Sequence, residues 1–119
     1  MLYKKDKYGL RKVNAKSLCI NMDLVNSKVI LYEDGIIVGE YRYEINRRTR
    51  DLHIEDFSIE DMCRGKGYGS YLGRTIIVLA KLYHCKTSSL VDGSSLEGFW
   101  QRLGYKDVRG KSISRVKIE

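Results

Sequence analysis

Leu52-His53-Ile54-Glu55-Asp56-Phe57-Ser58-Ile59 and, four residues on, Arg64-Gly65-Lys66-Gly67-Tyr68-Gly69-Ser70 form the stretch that decides how this chain reads. The first run is apolar enough for a strand over 52–59. The second opens a helix over about 67–83, where Leu72, Ile76, Leu79 and Tyr83 recur at i, i+4, i+7 and i+11 on one face. Ile77, Val78 and Leu82 widen that stripe, which predicts a helix covered by sheet along much of its surface. Between strand and helix sit Gly65, Gly67 and Gly69. Glycine at such a junction lets the backbone turn tightly and lets a ligand approach the main chain, because no Cβ stands in the way. The first N–H groups of a helix have no intrahelical partners and carry partial positive charge, so they suit an anion. Arg64 and Lys66 add fixed positive charge at the same place. The plain alternative is a glycine-rich turn that binds nothing.

Upstream of this stretch the chain reads as a meander of strands. Residues 1 to about 15 have weak periodicity and read as a short strand or a loose arm. A first strand is expected over 17–24 and a stronger one over 28–33, with Val29, Ile30, Leu31 and Tyr32 in it. Asp34-Gly35 is a hairpin turn signal. A long strand rich in β-branched and aromatic residues then covers 36–46, and 47–51 turns the chain into 52–59. Downstream, 85–91 reads as a short strand, parallel to 52–59 through a right-handed crossover. Ser94-Ser95-Leu96-Glu97 has the form of a capping box. The helix it opens ends at Gly104, suited to a left-handed C-terminal position, and strands over 105–108 and 112–118 finish the chain. There is no proline, repeat, linker or low-complexity tract. The fold class is mixed α/β (α+β) in a single domain over 1–119.

At 119 residues, with 43% apolar and 31% charged residues, the composition is that of a soluble globular domain with one core. No apolar run approaches the ~20 residues that cross a bilayer, and the start lacks the apolar stretch of a signal peptide. Cys19, Cys63 and Cys85 are odd in number and scattered, which fits neither a disulfide framework nor a zinc site; a reducing cytoplasm and no metal are the expectation. Cys63 and Cys85 carry no mark of an activated nucleophile. Net charge is +7. It gathers in 1–16, at Arg47, Arg48 and Arg50, and at Lys106, Arg109, Lys111, Arg115 and Lys117. Such clusters suit an anionic partner or are simply solvated; none has the motif of a protein that reads DNA or RNA sequence.

The pattern Arg64-x-x-Gly67-x-Gly69, after a strand and before a helix, resembles the acyl-coenzyme A signature of the GNAT superfamily of N-acetyltransferases. Gly98-Phe99-Trp100-Gln101-Arg102-Leu103-Gly104-Tyr105 is similar to the family's late helix, and one helix plus one strand fits between the two blocks. The resemblance runs over about 28–108. It implies a mostly antiparallel central sheet splayed between the fourth and fifth strands, with the glycine-loop helix packed on it. The N-terminal region is short, with little room for the usual pair of early helices.

The resemblance also implies acetyl-CoA as co-substrate and a primary amine as acceptor, attacked directly. The diphosphate would lie on Arg64, Gly65, Lys66, Gly67, Tyr68, Gly69 and Ser70, and the pantetheine arm would pair with main chain at Phe57 and Ile59. The acetyl carbonyl would meet an N–H near a bulge in the strand. The family often has a tyrosine that protonates the thiolate and an asparagine seven residues earlier; here those places hold Trp100 and Gly93, and Ser94 or Ser95 could substitute for the second. Trp100 reads as core or pocket wall. His53 falls where several members carry a catalytic glutamate, and histidine titrates nearer neutrality than any other side chain. Glu55, on the same face by strand alternation, is the second candidate and Asp56 the third; the plain reading of each is a half-exposed polar strand residue. A polycationic acceptor sits poorly with a basic surface unless Asp51, Glu55, Asp56, Glu60 and Asp61 make the pocket locally acidic. The rival reading is a catalytically weak binding module on the same scaffold, acting on nucleic acid or an acidic protein through its basic faces. A homodimer is left open.

Overall fold

Apolar alternation and a few turn residues are enough to lay out the strands. The structure, a computed structural model, describes residues 2–6, 9–13, 18–91, 97–110 and 113–119. β1 (Leu2–Asp6) and β2 (Gly9–Val13) pair antiparallel as a hairpin, two strands where the sequence suggests one or none. The main sheet begins with β3 (Leu18–Asp23), β4 (Lys28–Glu33) and β5 (Ile36–Asn46). Asp34 and Gly35 take φ of 51° and 81°, the left-handed pair that matches the twist of a two-residue hairpin. At the far end of β5 the Asn46 side-chain oxygen accepts from the N–H groups of Arg48 and Thr49, both at 3.1 Å, and turns the chain into β6 (Asp51–Ile59).

A 3-10 turn over Asp61–Cys63 leads into α1 (Tyr68–Leu82), and the chain continues through β7 (Thr87–Val91), α2 (Glu97–Arg102), β8 (Lys106–Asp107) and β9 (Ile113–Lys117). The seven-stranded order is β3-β4-β5-β6-β7-β9-β8; every neighbouring pair is antiparallel except β6 and β7, which are parallel. The strands that the sequence numbers fourth and fifth are β6 and β7, because the N-terminal hairpin adds two.

Both described helices lie on one face of this sheet. Leu72, Ile76 and Leu79 of α1 pack with Val29, Leu31, Tyr41, Leu52 and Ile54 in one buried cluster. Each fully buried aliphatic side chain contributes about 1.5–3 kcal/mol. The expected wide stripe on α1 is narrower than read: Val78 and Leu82 are more than half exposed, and only Ile77 of the three packs against the core. The reason is layering. α1 is covered by the sheet on one side and, along the edge at Gly73, by α2 and the residue after it, where an added Cβ would lie 3.2 Å from Phe99 and 2.8 Å from Leu103; its remaining face meets solvent. Buried hydroxyls are paired within the core. Thr75 donates to the Leu72 carbonyl at 2.6 Å, so the Tyr41 phenol donates to Thr75 at 2.7 Å. Ser88 donates to the Leu52 carbonyl at 2.8 Å, so the Tyr105 phenol donates to Ser88 at 2.7 Å. Residues 94–96 of the expected capping box lie outside the described residues.

Candidate functional site

β6 and β7 run together only from the pair Asp51–Thr87 to the pair Ile54–Leu90. Beyond Ile54, β6 continues to Ile59 without a β7 partner, and the sheet splays. At the parting β6 carries a bulge. Arg42 opposes Glu55 whereas Glu40 opposes Ser58, so Asp56 and Phe57 together stand against Tyr41. Asp56 takes φ of 52°, a left-handed conformation that aspartate tolerates better than most residues. The bulge resets the alternation: Leu52 and Ile54 enter the core before it, Phe57 and Ile59 pack against the core after it. It also fixes where the main chain points. The Glu60 N–H donates to the Val38 carbonyl on β5 at 2.9 Å and Ser58 pairs with Glu40, so the N–H and C=O of Phe57 and Ile59 face the gap. Arg64 Nε reaches the Ile59 carbonyl from that side at 3.4 Å.

One end of the gap opens into a cavity of about 480 Å³ lined by Phe57, Ser58, Ile59, Cys63, Arg64, Gly65, Gly67, Gly69, Ser70, Phe99 and Arg102. Gly65 and Gly67 adopt φ of 78° and 85°. Gly67 is the N-cap of α1, no side chain caps it, and among the described residues beyond its chain neighbours no atom lies within 4 Å of where its Cβ would be. The first amides of a four-turn helix are thereby left facing open space beside two arginines. This donor set fits a diphosphate. The Arg64 guanidinium pairs with Asp61 at 3.3 Å, but both side chains are well exposed and the pair holds it only weakly. Two residues of the glycine loop do not line the cavity, Lys66 and Tyr68. The Tyr68 hydroxyl instead donates to Glu33 at 2.5 Å, tying the start of α1 to the β4–β5 turn. That carboxylate pushes the phenol pKa up to about 12. Gly93, Ser94 and Ser95 lie outside the described residues.

The other end of the gap is a cavity of about 350 Å³ lined by His53, Ile54, Glu55, Asp56, Phe57, Leu90, Val91 and Trp100. The sequence candidates His53, Glu55 and Asp56 therefore come together, and Phe57 lines both cavities. Among the described residues neither lysine nor arginine lines this second cavity, so its described lining is acidic within a basic protein. Glu60 and Asp61 take no part, and Asp51 is buried behind it. Trp100 is 5% exposed and forms the wall, stacked edge-on against Phe57 with centroids 4.8 Å apart and against Tyr105 at 5.3 Å. Among the described residues no tyrosine lines either cavity. Cys63 is half-buried on the rim of the larger cavity; Cys85 is buried, which pushes its thiol pKa up and leaves it inert.

A family model described as the acetyltransferase (GNAT) family matches residues 12–105. The chain belongs to that family. The match begins well before residue 28, where the resemblance in sequence becomes readable. No curated protein matches by sequence. Among solved structures, N-acetylglutamate synthase from Neisseria gonorrhoeae, complexed with coenzyme A and N-acetyl-glutamate, superposes with a TM-score of 0.69 at 14% identity, covering 78% of this chain and 26% of that one. Ard1 from Thermoplasma volcanium gives 0.67 at 17% identity, covering 78% and 71%. An acetyltransferase of the GNAT family from Staphylococcus aureus gives 0.69 at 12% identity, covering 81% and 71%. The chain thus spans about a quarter of the length of the gonococcal synthase. At these identities the likeness is one of fold.

For a GNAT chain the sequence reading missed Ser58, Cys63, Phe99 and Arg102 on the larger cavity and Ile54, Leu90 and Val91 on the smaller. Phe99 and Arg102 had a signal, since both stand in the quoted late-helix block. Arg102 faces the cavity from the last turn of α2, one turn after Phe99.

Proposed function

We propose that this protein transfers the acetyl group of acetyl-CoA to a primary amine. One observation carries the reading: a cavity with free helix amides and a cavity holding His53, Glu55 and Asp56 meet at Phe57, where β6 parts from β7. Acetyl-CoA, when bound, supplies a thioester carbonyl open to attack. Gly65, Gly67, Gly69 and Ser70 offer main chain to its diphosphate, with Arg64 and Arg102 as cationic neighbours and the outward main chain of Phe57 and Ile59 for the arm. Glu55 and Asp56 draw a cationic amine into the smaller cavity; as its nitrogen bonds the acetyl carbon and the C–S bond breaks, His53 takes one of the two protons that the amine sheds and the other goes through water to the departing thiolate. Fixing the amine against the carbonyl supplies much of the rate.

Isothermal titration with acetyl-CoA tests the reading. Micromolar binding is expected, and Gly67→Glu should abolish it by placing a strained, anionic side chain where the diphosphate lies; Arg102→Ala should weaken it without strain. A folded wild-type protein with no affinity for coenzyme A or its thioesters would sink the proposal. The absence of a tyrosine from both cavities, among the described residues, favours a second reading, a scaffold that holds coenzyme A without turnover and acts through its basic surface. Salt-sensitive DNA binding, indifferent to coenzyme A, would support that alternative.

A further inference from the structure

His53 does not stand alone in its cavity. The parallel register of β6 and β7 sets Asp51 opposite Thr87 and His53 opposite Ser89, and alternation puts all four side chains on one face of the sheet. They are hydrogen-bonded in series. Thr87 Oγ1 lies 2.7 Å from Asp51 Oδ1, Ser89 Oγ lies 2.5 Å from Asp51 Oδ2, and His53 Nδ1 lies 3.0 Å from Ser89 Oγ. Asp51 is 9% exposed and Ser89 3%, so these bonds are shielded from water.

The proton inventory orders the series. A carboxylate only accepts, and a serine hydroxyl has one proton to give. Ser89 gives its proton to Asp51, so its oxygen can only accept from the imidazole. The tautomer of a histidine is set by the bond its other nitrogen makes. Nδ1 must then carry the proton, and Nε2 keeps a lone pair. Nε2 has no hydrogen-bond partner among the described residues, while His53 lines the smaller cavity.

We propose that Asp51 and Ser89 are positioning residues that lock His53 in its Nδ1–H tautomer and present Nε2 to the acceptor cavity as the proton-accepting atom. The role of Nε2 rests on the acetyl-transfer reading; the lock does not. Because all three residues stand on paired strands, the imidazole is aimed by the sheet itself rather than by a loop.

Long-range nitrogen–proton NMR correlations on the full chain read the tautomer directly, with exposed His84 as the internal comparison. His53 should show Nδ1–H in the wild type and lose that preference in Ser89→Ala. In steady-state assays Ser89→Ala and Asp51→Asn should lower kcat on the order of 10- to 100-fold with KM for acetyl-CoA unchanged. Ser89→Thr, which keeps the hydroxyl, should restore most of the rate. An Nε2–H tautomer in the wild type, or a folded Ser89→Ala protein with wild-type kcat, overturns the proposal. An Nδ1–H His53 in a protein that acetylates no amine upholds the lock and overturns the acetyl-transfer reading instead.

Discussion

Glu55 and Asp56 sit side by side in sequence, yet the bulge gives them different duties. Asp56 takes the left-handed corner that lets β6 bend, while Glu55 stays in register opposite Arg42 and projects from an ordinary strand position. Glu55 is therefore the carboxylate that can be changed without disturbing the backbone. Its attraction for a cationic acceptor at an exposed site is worth about 1 kcal/mol, roughly fivefold in affinity. Glu55→Gln should raise the KM for the amine by about that factor and leave acetyl-CoA binding alone; an unchanged KM would remove Glu55 from the acceptor site. His53→Ala should instead act on the chemical step. Loss of a positioned base costs about 10²- to 10⁴-fold in kcat, with the acetyl-CoA dissociation constant, read by titration, unaltered. An unaltered rate would take His53 out of the mechanism.

At the scale of elements, the contact between β5 and β6 depends on Gly39. A Cβ there would stand 2.6 Å from Ile59 Cδ1, 3.0 Å from the Ser58 carbonyl oxygen and 3.2 Å from Leu72. The isoleucine tip can rotate away, but the carbonyl belongs to a paired strand and cannot. Gly39→Ala should therefore destabilise by about 1–3 kcal/mol, visible as a lower Tm, and should weaken acetyl-CoA binding, because Ser58 and Ile59 line the cavity proposed for it. A variant with wild-type Tm would mean that β5 and β6 separate more easily than their pairing implies. Much of this element layout is legible in the sequence. The strands 28–33, 36–46 and 52–59 and the helix after the glycine loop follow from apolar spacing and turn residues. The bulge also leaves a trace: Leu52 and Ile54 fall on even numbers, Phe57 and Ile59 on odd, with two acidic residues between. Other features leave none. Periodicity cannot say how many layers cover a helix, hence the exposed Val78 and Leu82. Membership of a motif does not say which way a side chain turns, hence Tyr68 bonded to Glu33. The meeting of His53 with Ser89 depends on how far β7 slides along β6, a register fixed by packing across 36 residues of chain.

Across the whole molecule, the buried phenols set a limit at high pH. Tyr41 and Tyr105 lie in the core, and burial drives both pKa values well above the ordinary tyrosine range. Each also gives its proton to a hydroxyl that is already committed to a carbonyl, so each must remain neutral for the core to close. In the unfolded chain the same phenols ionise near pH 10. Their contribution to stability is complete below that pH. Above it the unfolded state sheds protons that the folded state keeps, and stability falls by about 1.4 kcal/mol per pH unit for each such phenol. Tyr68 adds a shallower share that ends near pH 12, where its folded form ionises too. Thermal melts from pH 9 upward should show Tm steady to about 10 and then dropping, and Tyr68→Phe should reduce the drop only slightly, because solvent screens that phenol. Phenolate absorbance followed in parallel should place Tyr41 and Tyr105 in the unfolding transition itself. If all nine tyrosines ionised near pH 10 while the chain stayed folded, the hydrogen-bonded core described for α1, β5 and β7 would be wrong.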